Sequence, residues 1–275
     1  MVFQTHIPFS PLDRYIKSIF YYEGLNPVHR LDRFLPDGNT EIVFDLSDGT
    51  QHIYNNETLA PIQACRYAWV SGVRTQPITI PSGKGSKMLI IAFKKGKAYP
   101  FYPLPMTEFT DAVLGAELIF GQAVFDLREQ LLSASSVKQM FVLVEAFLLH
   151  QAGGLPSADM TSQCIEYAVS SIMSKPDKAG FQYLSDQVGY SQKHFIELFK
   201  KKVGLTPSQY MKIMRFQKAI HEIENTESIR WSAIALRNGF YDQAHFIHEF
   251  RNFSGFTPGE YLIRKTNLLN YIPVQ

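Results

Sequence analysis

Gln192, Lys193, Ile196, Glu197 and Lys200 fall on one face of a predicted helix. Gln243, Ala244, Ile247, His248 and Arg251 fall on the same face of a second helix, 51 positions later. The opposite faces are apolar: Phe195, Leu198, Phe199 and Val203 in the first, and Phe246, Phe250 and Phe253 in the second. The polar faces carry the chemistry of base-edge recognition. A Gln amide pairs bidentately with adenine, Lys donates to guanine O6 and N7, Glu accepts from cytosine N4, and Ile or Ala packs on a thymine methyl. Lys200, Lys201, Lys202 and Arg251 suit phosphate oxygens, which position without specifying. Any one of these residues is equally at home on a solvated helix face. Glu197 is the awkward member, because a carboxylate among phosphates weakens binding unless it meets a cytosine or an Arg, and it is therefore expected to read a base.

The elements that hold these faces are written twice. "GYSQKHFIELFKKKVGLTPSQYM" and "GFYDQAHFIHEFRNFSGFTPGEYL" align so that Phe195, Phe199, Gly204, Thr206, Pro207 and Tyr210 recur as Phe246, Phe250, Gly255, Thr257, Pro258 and Tyr261, with His194 matching His245. Each unit reads as helix, tight turn, helix. "FQYLSDQV" leads to Gly189 and "WSAIALRN" to Gly239, glycines that can supply the positive φ of a sharp turn. Ser191 and Asp242 are the expected N-caps of the second helices. "TPSQ" and "TPGE" are capping boxes that open the next helices at Thr206 and Thr257, whose N-termini could also hold a phosphate. A stack of helical hairpins would explain a repeat, but solenoids generally need three or more copies. A tight turn before a longer second helix is helix-turn-helix geometry. The helix begun at Thr206 is predicted to run to Glu224, about 28 Å at the α-helical rise. Successive major-groove faces of B-DNA lie about 34 Å apart, so one long helix can hold two recognition helices against one side of a duplex.

On these residues the segment from about 160 to 266 resembles the C-terminal DNA-binding region of the AraC/XylS family of transcription regulators. The first half resembles, more loosely, the β-rich sensory domains of such regulators, through "RFLPDGNTEIVFDL" and "FKKGKAYPFYPLPMTEFTDAV". The resemblance implies a sequence-specific DNA-binding regulator with helix-turn-helix units over about 181–203 and 231–253. Contacts to double-stranded DNA are expected from Gln192, Lys193, Ile196, Glu197, Lys200, Lys201 and Thr206, and from Gln243, Ala244, Ile247, His248, Arg251 and Thr257. It also implies a small-molecule effector in the first half, RNA polymerase as a partner, and a homodimer as in some relatives.

The first half supports the sensory reading in its own terms. "TEIVFDL", "QHIYNNE", "YAWVSGV", "QPITIPS" and "MLIIAFK" are short β-prone runs separated by turn signals, which predicts a cupin-like antiparallel barrel or sandwich. From "TEFTDAVLGAELIF" onward the period becomes helical, so the expected fold is α+β. The apolar helix "SVKQMFVLVEAFLLHQ" either buries fully or offers a dimer seam through Met140, Phe141, Val144, Phe147 and Leu148. The linker-like "AGGLPSAD" places the domain boundary near residue 155, giving halves 1–155 and 156–275. Arg33, Trp69 and Arg74 are the candidate effector-binding residues.

Composition narrows the classes. Of 275 residues, 45% are hydrophobic and 19% charged, which excludes a disordered chain. Residues 1–155 carry 13 Lys/Arg against 14 Asp/Glu, and residues 156–275 carry 14 against 11, so the basic excess sits with the repeat. Cys65 and Cys164 have no CxxC spacing, and "GKGSK" lacks the Walker pattern. His245 and His248 sit at i, i+3 without a third ligand, so no metal or cofactor is expected. With no signal peptide or transmembrane run, the expected location is the cytoplasm. The competing class is a DNA-targeted enzyme with its chemistry in the β-rich half, for which Cys65, beside Arg66, is the sole candidate nucleophile.

Overall fold

The computed structural model describes residues 1–153, 159–176, 187, 189–226 and 228–274. The fold is α+β. A six-stranded antiparallel sheet runs in spatial order β1 (Val2–His6), β2 (Ile16–Glu23), β9 (Lys87–Phe93), β4 (Glu41–Asp45), β7 (Ala68–Ser71), β10 (Val113–Gly115). A five-stranded one runs β11 (Tyr271–Pro273), β3 (Leu31–Phe34), β8 (Ile78–Pro81), β5 (Gln51–Tyr54), β6 (Pro61–Cys65). Each sheet ends on two different edge strands, so neither closes into a barrel, and the arrangement is the two-sheet alternative. The helical period also starts later than its sequence suggests. Within "TEFTDAVLGAELIF", Val113–Gly115 pairs with Ser71–Trp69 at a sheet edge before α1 (Glu117–Phe120) begins.

Alternation gives the six-stranded sheet two unlike faces. Ile19, Tyr21, Ile42, Phe44, Leu89 and Ile91 point to one side and share a core with α2 (Gln122–Leu132) and α3 (Val137–Gln151). Their neighbours Phe20, Tyr22, Val43, Met88 and Ile90 point to the other, where the two sheets enclose a cavity of about 360 Å³. Helix α3 is capped by Ser136 and spends its apolar stripe on the first of these cores. Met140, Phe141, Val144, Phe147 and Leu148 are all buried there, so the expected dimer seam through those five side chains is already occupied by the chain's own packing.

Among the described residues the second half comprises α4 (Met160–Ser174), α5 (Gln192–Val203), α6 (Pro207–Glu224), α7 (Trp231–Arg237), α8 (Gln243–Ser254) and α9 (Pro258–Arg264). Most of "AGGLPSAD" and all of "FQYLSDQV" but Gln187 lie outside the described residues. The helices close on one aromatic-rich core that includes Phe195, Phe199, Tyr210, Phe216, Phe246 and Phe250. Leu35 and Val73 of the β-rich half enter the same core. Polar contacts reinforce the junction: Thr110 Oγ1 donates to Gly204 O at 2.6 Å, Gln217 Nε2 donates to Pro36 O at 2.7 Å, and Lys97 Nζ meets Glu166 Oε2 at 3.0 Å. After α9 the chain returns to the β-rich half and adds β11 beside β3, with Tyr271 opposite Phe34. The helical half therefore ends in a strand that belongs to the other half's sheet, a feature the sequence reading did not foresee.

Candidate nucleic-acid interface

Local chemistry fixes both second helices of the repeat. Gly189 and Gly239 adopt φ of 70° and 74°, the left-handed conformation that glycine reaches without steric cost. Ser191 accepts from His194 N at 3.4 Å and Asp242 from His245 N at 2.8 Å, capping α5 and α8. Gly204 and Gly255 end these helices at φ of 91° and 78°. In the second unit Glu249 is buried between Lys212 Nζ at 2.8 Å and Arg215 Nη2 at 3.8 Å, both on α6. Arg215 Nη1 also donates to Gly239 O at 3.0 Å, so α6 braces both the recognition helix and its turn. This brace was not anticipated. Its one signal was a Glu lodged between Phe246 and Phe250 on an otherwise apolar face.

Gln192, Lys193, Glu197, Lys200 and Lys201 on α5, and Gln243, Ala244, His248 and Arg251 on α8, are exposed, while Ile196 and Ile247 are partly covered. Lys193, Lys200 and Lys201 have no carboxylate partner among the described residues. Lys202 differs. It stands seven residues after Phe195, on the core stripe, where it is buried, donates to Ser162 Oγ at 2.6 Å and lies over the Tyr99 ring. The expected phosphate role of Lys202 is thus corrected to a pin on the start of α4. His245 is engaged within its own unit, accepting from Tyr241 N at 3.2 Å through Nδ1 and meeting the Phe240 ring edge-on.

Both capping boxes form, with Thr206 accepting from Gln209 N at 3.2 Å and Thr257 from Glu260 N at 3.3 Å. They differ electrostatically. Hydrogen bonds from Thr257 hold the Glu260 carboxyl below its ordinary pKa, so a phosphate approaching α9 meets a carboxylate. At the start of α6 the matching side chain is the neutral Gln209, which leaves Thr206 the better phosphate neighbour.

The three effector candidates separate. Trp69 lines the cavity between the sheets. Arg33 does not: its guanidinium donates to Asn56 O, reaches Thr79 Oγ1 at 3.4 Å and stacks on Phe256 at 5.0 Å, joining the β-rich half to the segment after α8. Arg74 is also buried outside the cavity lining, with Nη2 3.4 Å from Ala112 O. Among the described residues no three His, Cys, Asp or Glu side chains gather as a metal site would require, and no helix is long and apolar enough to cross a membrane.

Two capped helices that each follow a glycine turn, packed on one core and joined by a single long helix, suit a double helix-turn-helix domain, and comparison with known proteins agrees. Residues 184–264 match a family described as a helix-turn-helix domain, and residues 4–115 match one described as a domain of unknown function (DUF6597). The HTH-type transcriptional activator RhaS of Escherichia coli is 33% identical over 82 residues, covering 30% of this chain and 29% of RhaS. An uncharacterized HTH-type transcriptional regulator of Haemophilus influenzae is 26% identical over 95 residues, 34% of this chain and 32% of that protein. The matches thus span about a third of these curated relatives or less. Among solved structures, ToxT from Vibrio cholerae aligns over 95% of this chain and 98% of its own, at 11% identity and a TM-score of 0.46. Residues 184–264 are a helix-turn-helix domain of the AraC type.

Glu197 provides a direct test of base reading at this interface. Glu197→Ala should weaken binding to the preferred site by about 1–3 kcal/mol and relax selection at one base pair. Binding titrations on the preferred site and on variants of each base pair would check this. Equal tightening on every sequence would mean that Glu197 is only a misplaced charge.

Proposed function

We propose that the chain is a sequence-specific transcription regulator, with residues 156–275 binding DNA and residues 1–155 sensing a small molecule. The observation that carries this reading is the pair of equivalent polar faces on α5 and α8, held by the 18 residues of α6, which extend about 27 Å. That length suits two readers on successive major-groove faces. In this reading Gln192, Lys193, Ile196 and Glu197 face bases in one groove, and Gln243, Ala244, Ile247 and His248 do so in the next. Lys200, Lys201, Arg251 and the starts of α6 and α9 meet phosphates. RNA polymerase is the expected partner at a promoter, any second copy of the chain would bind through a face other than the α3 stripe, and the cytoplasm is the place of action.

Effector control is supported by the cavity and by its walls. Leu268 and Tyr271, from the segment that follows α9, line it together with side chains of both sheets. A molecule bound between the sheets would therefore touch chain that is covalently continuous with the second helix-turn-helix unit. The enzyme alternative draws no support from Cys65: burial pushes its thiol up to about 11, away from the thiolate a nucleophile requires.

Hydroxyl-radical footprinting of the full chain on a bound fragment tests the two-headed arrangement. Two protected patches about 10 base pairs apart on one face are expected. Affinity should fall steeply with salt, with a log–log slope of about −0.9 for each phosphate neutralised. A single patch, or binding insensitive to salt, would contradict the reading.

A further inference from the structure

The cavity between the sheets is lined mainly by apolar and aromatic side chains, among them Phe20, Tyr22, Phe34, Trp69 and Tyr271, and among the described residues no Lys or Arg lines it. Three of its polar members have partners. Asp32 pairs with His29 Nε2 at 2.9 Å, Gln51 Nε2 donates to Asp45 Oδ2 at 3.1 Å, and Ser82 Oγ donates to His29 O at 2.8 Å. Of the two carboxylates in the lining, Glu41 is the one without a partner. It lies half-buried on β4 with its side chain on the cavity face, two residues before Val43. Among the described residues its carboxylate has neither a hydrogen bond nor an ion pair. A carboxylate set into an apolar cavity wall without a partner is costly, and chains rarely keep one that nothing uses.

We propose that the effector is an apolar molecule carrying a protonated amine, whose ammonium is received by Glu41 and the aromatic side chains around it. The inference rests on the reading of this cavity as the effector site. An ammonium supplies the missing charge and hydrogen-bond donors, and the faces of Trp69, Tyr22 and Tyr271 attract a desolvated cation further. A carboxylate ligand would find no Lys or Arg among the described lining residues and would face both Glu41 and Asp32. The volume of about 360 Å³ suits a small drug-sized body and no more. The electrostatics of the empty site agree. Burial, with Asp37 close by, pushes Glu41 up to about 7, against the opposing pull of Lys17 and Arg74. Burial raises the neighbouring phenols of Tyr22 and Tyr271, and nearby carboxylates including Glu41 add to it. An ammonium would relieve this by favouring the ionised carboxylate, so affinity should rise as pH passes upward through neutrality.

The test is calorimetric titration of the full chain, without DNA, at pH 8, using 3-phenylpropylamine, 3-phenylpropanol and 3-phenylpropionate. These probes share one apolar body and differ in their polar end. The amine is expected to bind at least about tenfold more tightly than the alcohol, and the carboxylate more weakly than either. In Glu41→Gln the amine should fall to the level of the alcohol. That variant is also expected to melt about 2–8 °C higher than the parent at pH 8, and closer to it at pH 5, so loss of binding cannot be put down to misfolding. The sign follows from linkage. Between the unfolded value of 4.5 and the folded value of about 7 the folded chain retains a proton that the unfolded chain has released, so stability falls as pH rises, and Gln removes that loss. Preference for the carboxylate, an amine preference that survives Glu41→Gln, or binding of none of the three up to their solubility would each overturn the proposal. Because binding is read without DNA, a chain that prefers the amine but selects no DNA would overturn only the regulator reading.

Discussion

Phe250→Ala should lower the unfolding free energy by about 3–5 kcal/mol. Phe250 sits at the centre of the second half, fully buried, with its ring 5.1 Å from Phe216, 5.6 Å from Phe246 and 5.5 Å from Tyr261. The edge-to-face arrangement adds about 0.5–1.5 kcal/mol per pair to the burial term. The void would open among aromatic rings on α6, α8 and α9, which the short helices around it cannot readily refill. Urea titration of the full chain measures the change directly. Because α8 also presents one recognition face, DNA binding should fail at temperatures where the parent still binds. A loss below about 1 kcal/mol would mean that the unit collapses around the missing ring and is less tightly packed than described.

Gly204→Ala should cost about 2–5 kcal/mol, for two separable reasons. The residue ends α5 at φ 91°, where any Cβ costs about 1–2 kcal/mol. A Cβ there would also lie 2.8 Å from Val73 Cγ1, 2.9 Å from the Met106 carbonyl oxygen and 3.1 Å from Thr110 Oγ1. Met106 O is backbone and cannot swing aside, so about 1–3 kcal/mol of overpacking is added. Gly255, its counterpart in the repeat, also has a positive φ, but there the Cβ would meet the end of the Arg33 side chain, whose shift would loosen its contacts with Asn56 and Phe256 without moving backbone. Gly255→Ala should therefore cost less than Gly204→Ala, in the same urea titrations. Equal costs would mean that the contact with the β-rich half contributes nothing at Gly204 and that only backbone conformation matters.

These two glycines show how far the sequence could be read. Their recurrence at the same place in each unit marked them as helix ends, and a period of 3.6 with its caps sufficed to place α5, α6 and α8 almost to the residue. The same reasoning identified the strands around Ile42, Ile53, Val70, Ile78 and Ile90, where β-branched residues lie between turn signals. It missed β1, β2, β3, β6, β10 and β11. Pro61–Cys65 is mostly exposed, Val113–Gly115 is three residues long, and Tyr271–Pro273 contains a proline, so none carries a clear alternation. Pairing across the fold, which no local pattern encodes, makes them strands. For the same reason Trp69 could be read as a cavity residue, while Glu41 could not be told from a surface carboxylate. Arg33 and Arg74 were drawn to the site by charge, yet their burial serves the framework. Lys202 was misread because three consecutive lysines look like one exposed patch, although the helical period turns the third inward.

The most direct measurement is selection of genomic fragments by the purified full-length chain at moderate salt, followed by sequencing. The helical half should not be used alone, since β11 pairs only with the β-rich half's sheet. The selection should be run with and without an amine that binds the cavity. The expected result is enrichment of sites holding two short motifs about one helical turn apart, with Gln192→Ala degrading one motif and Gln243→Ala the other. Enrichment of a single motif, insensitive to one of these two substitutions, would contradict the two-headed arrangement. No enrichment in either condition would contradict DNA recognition itself.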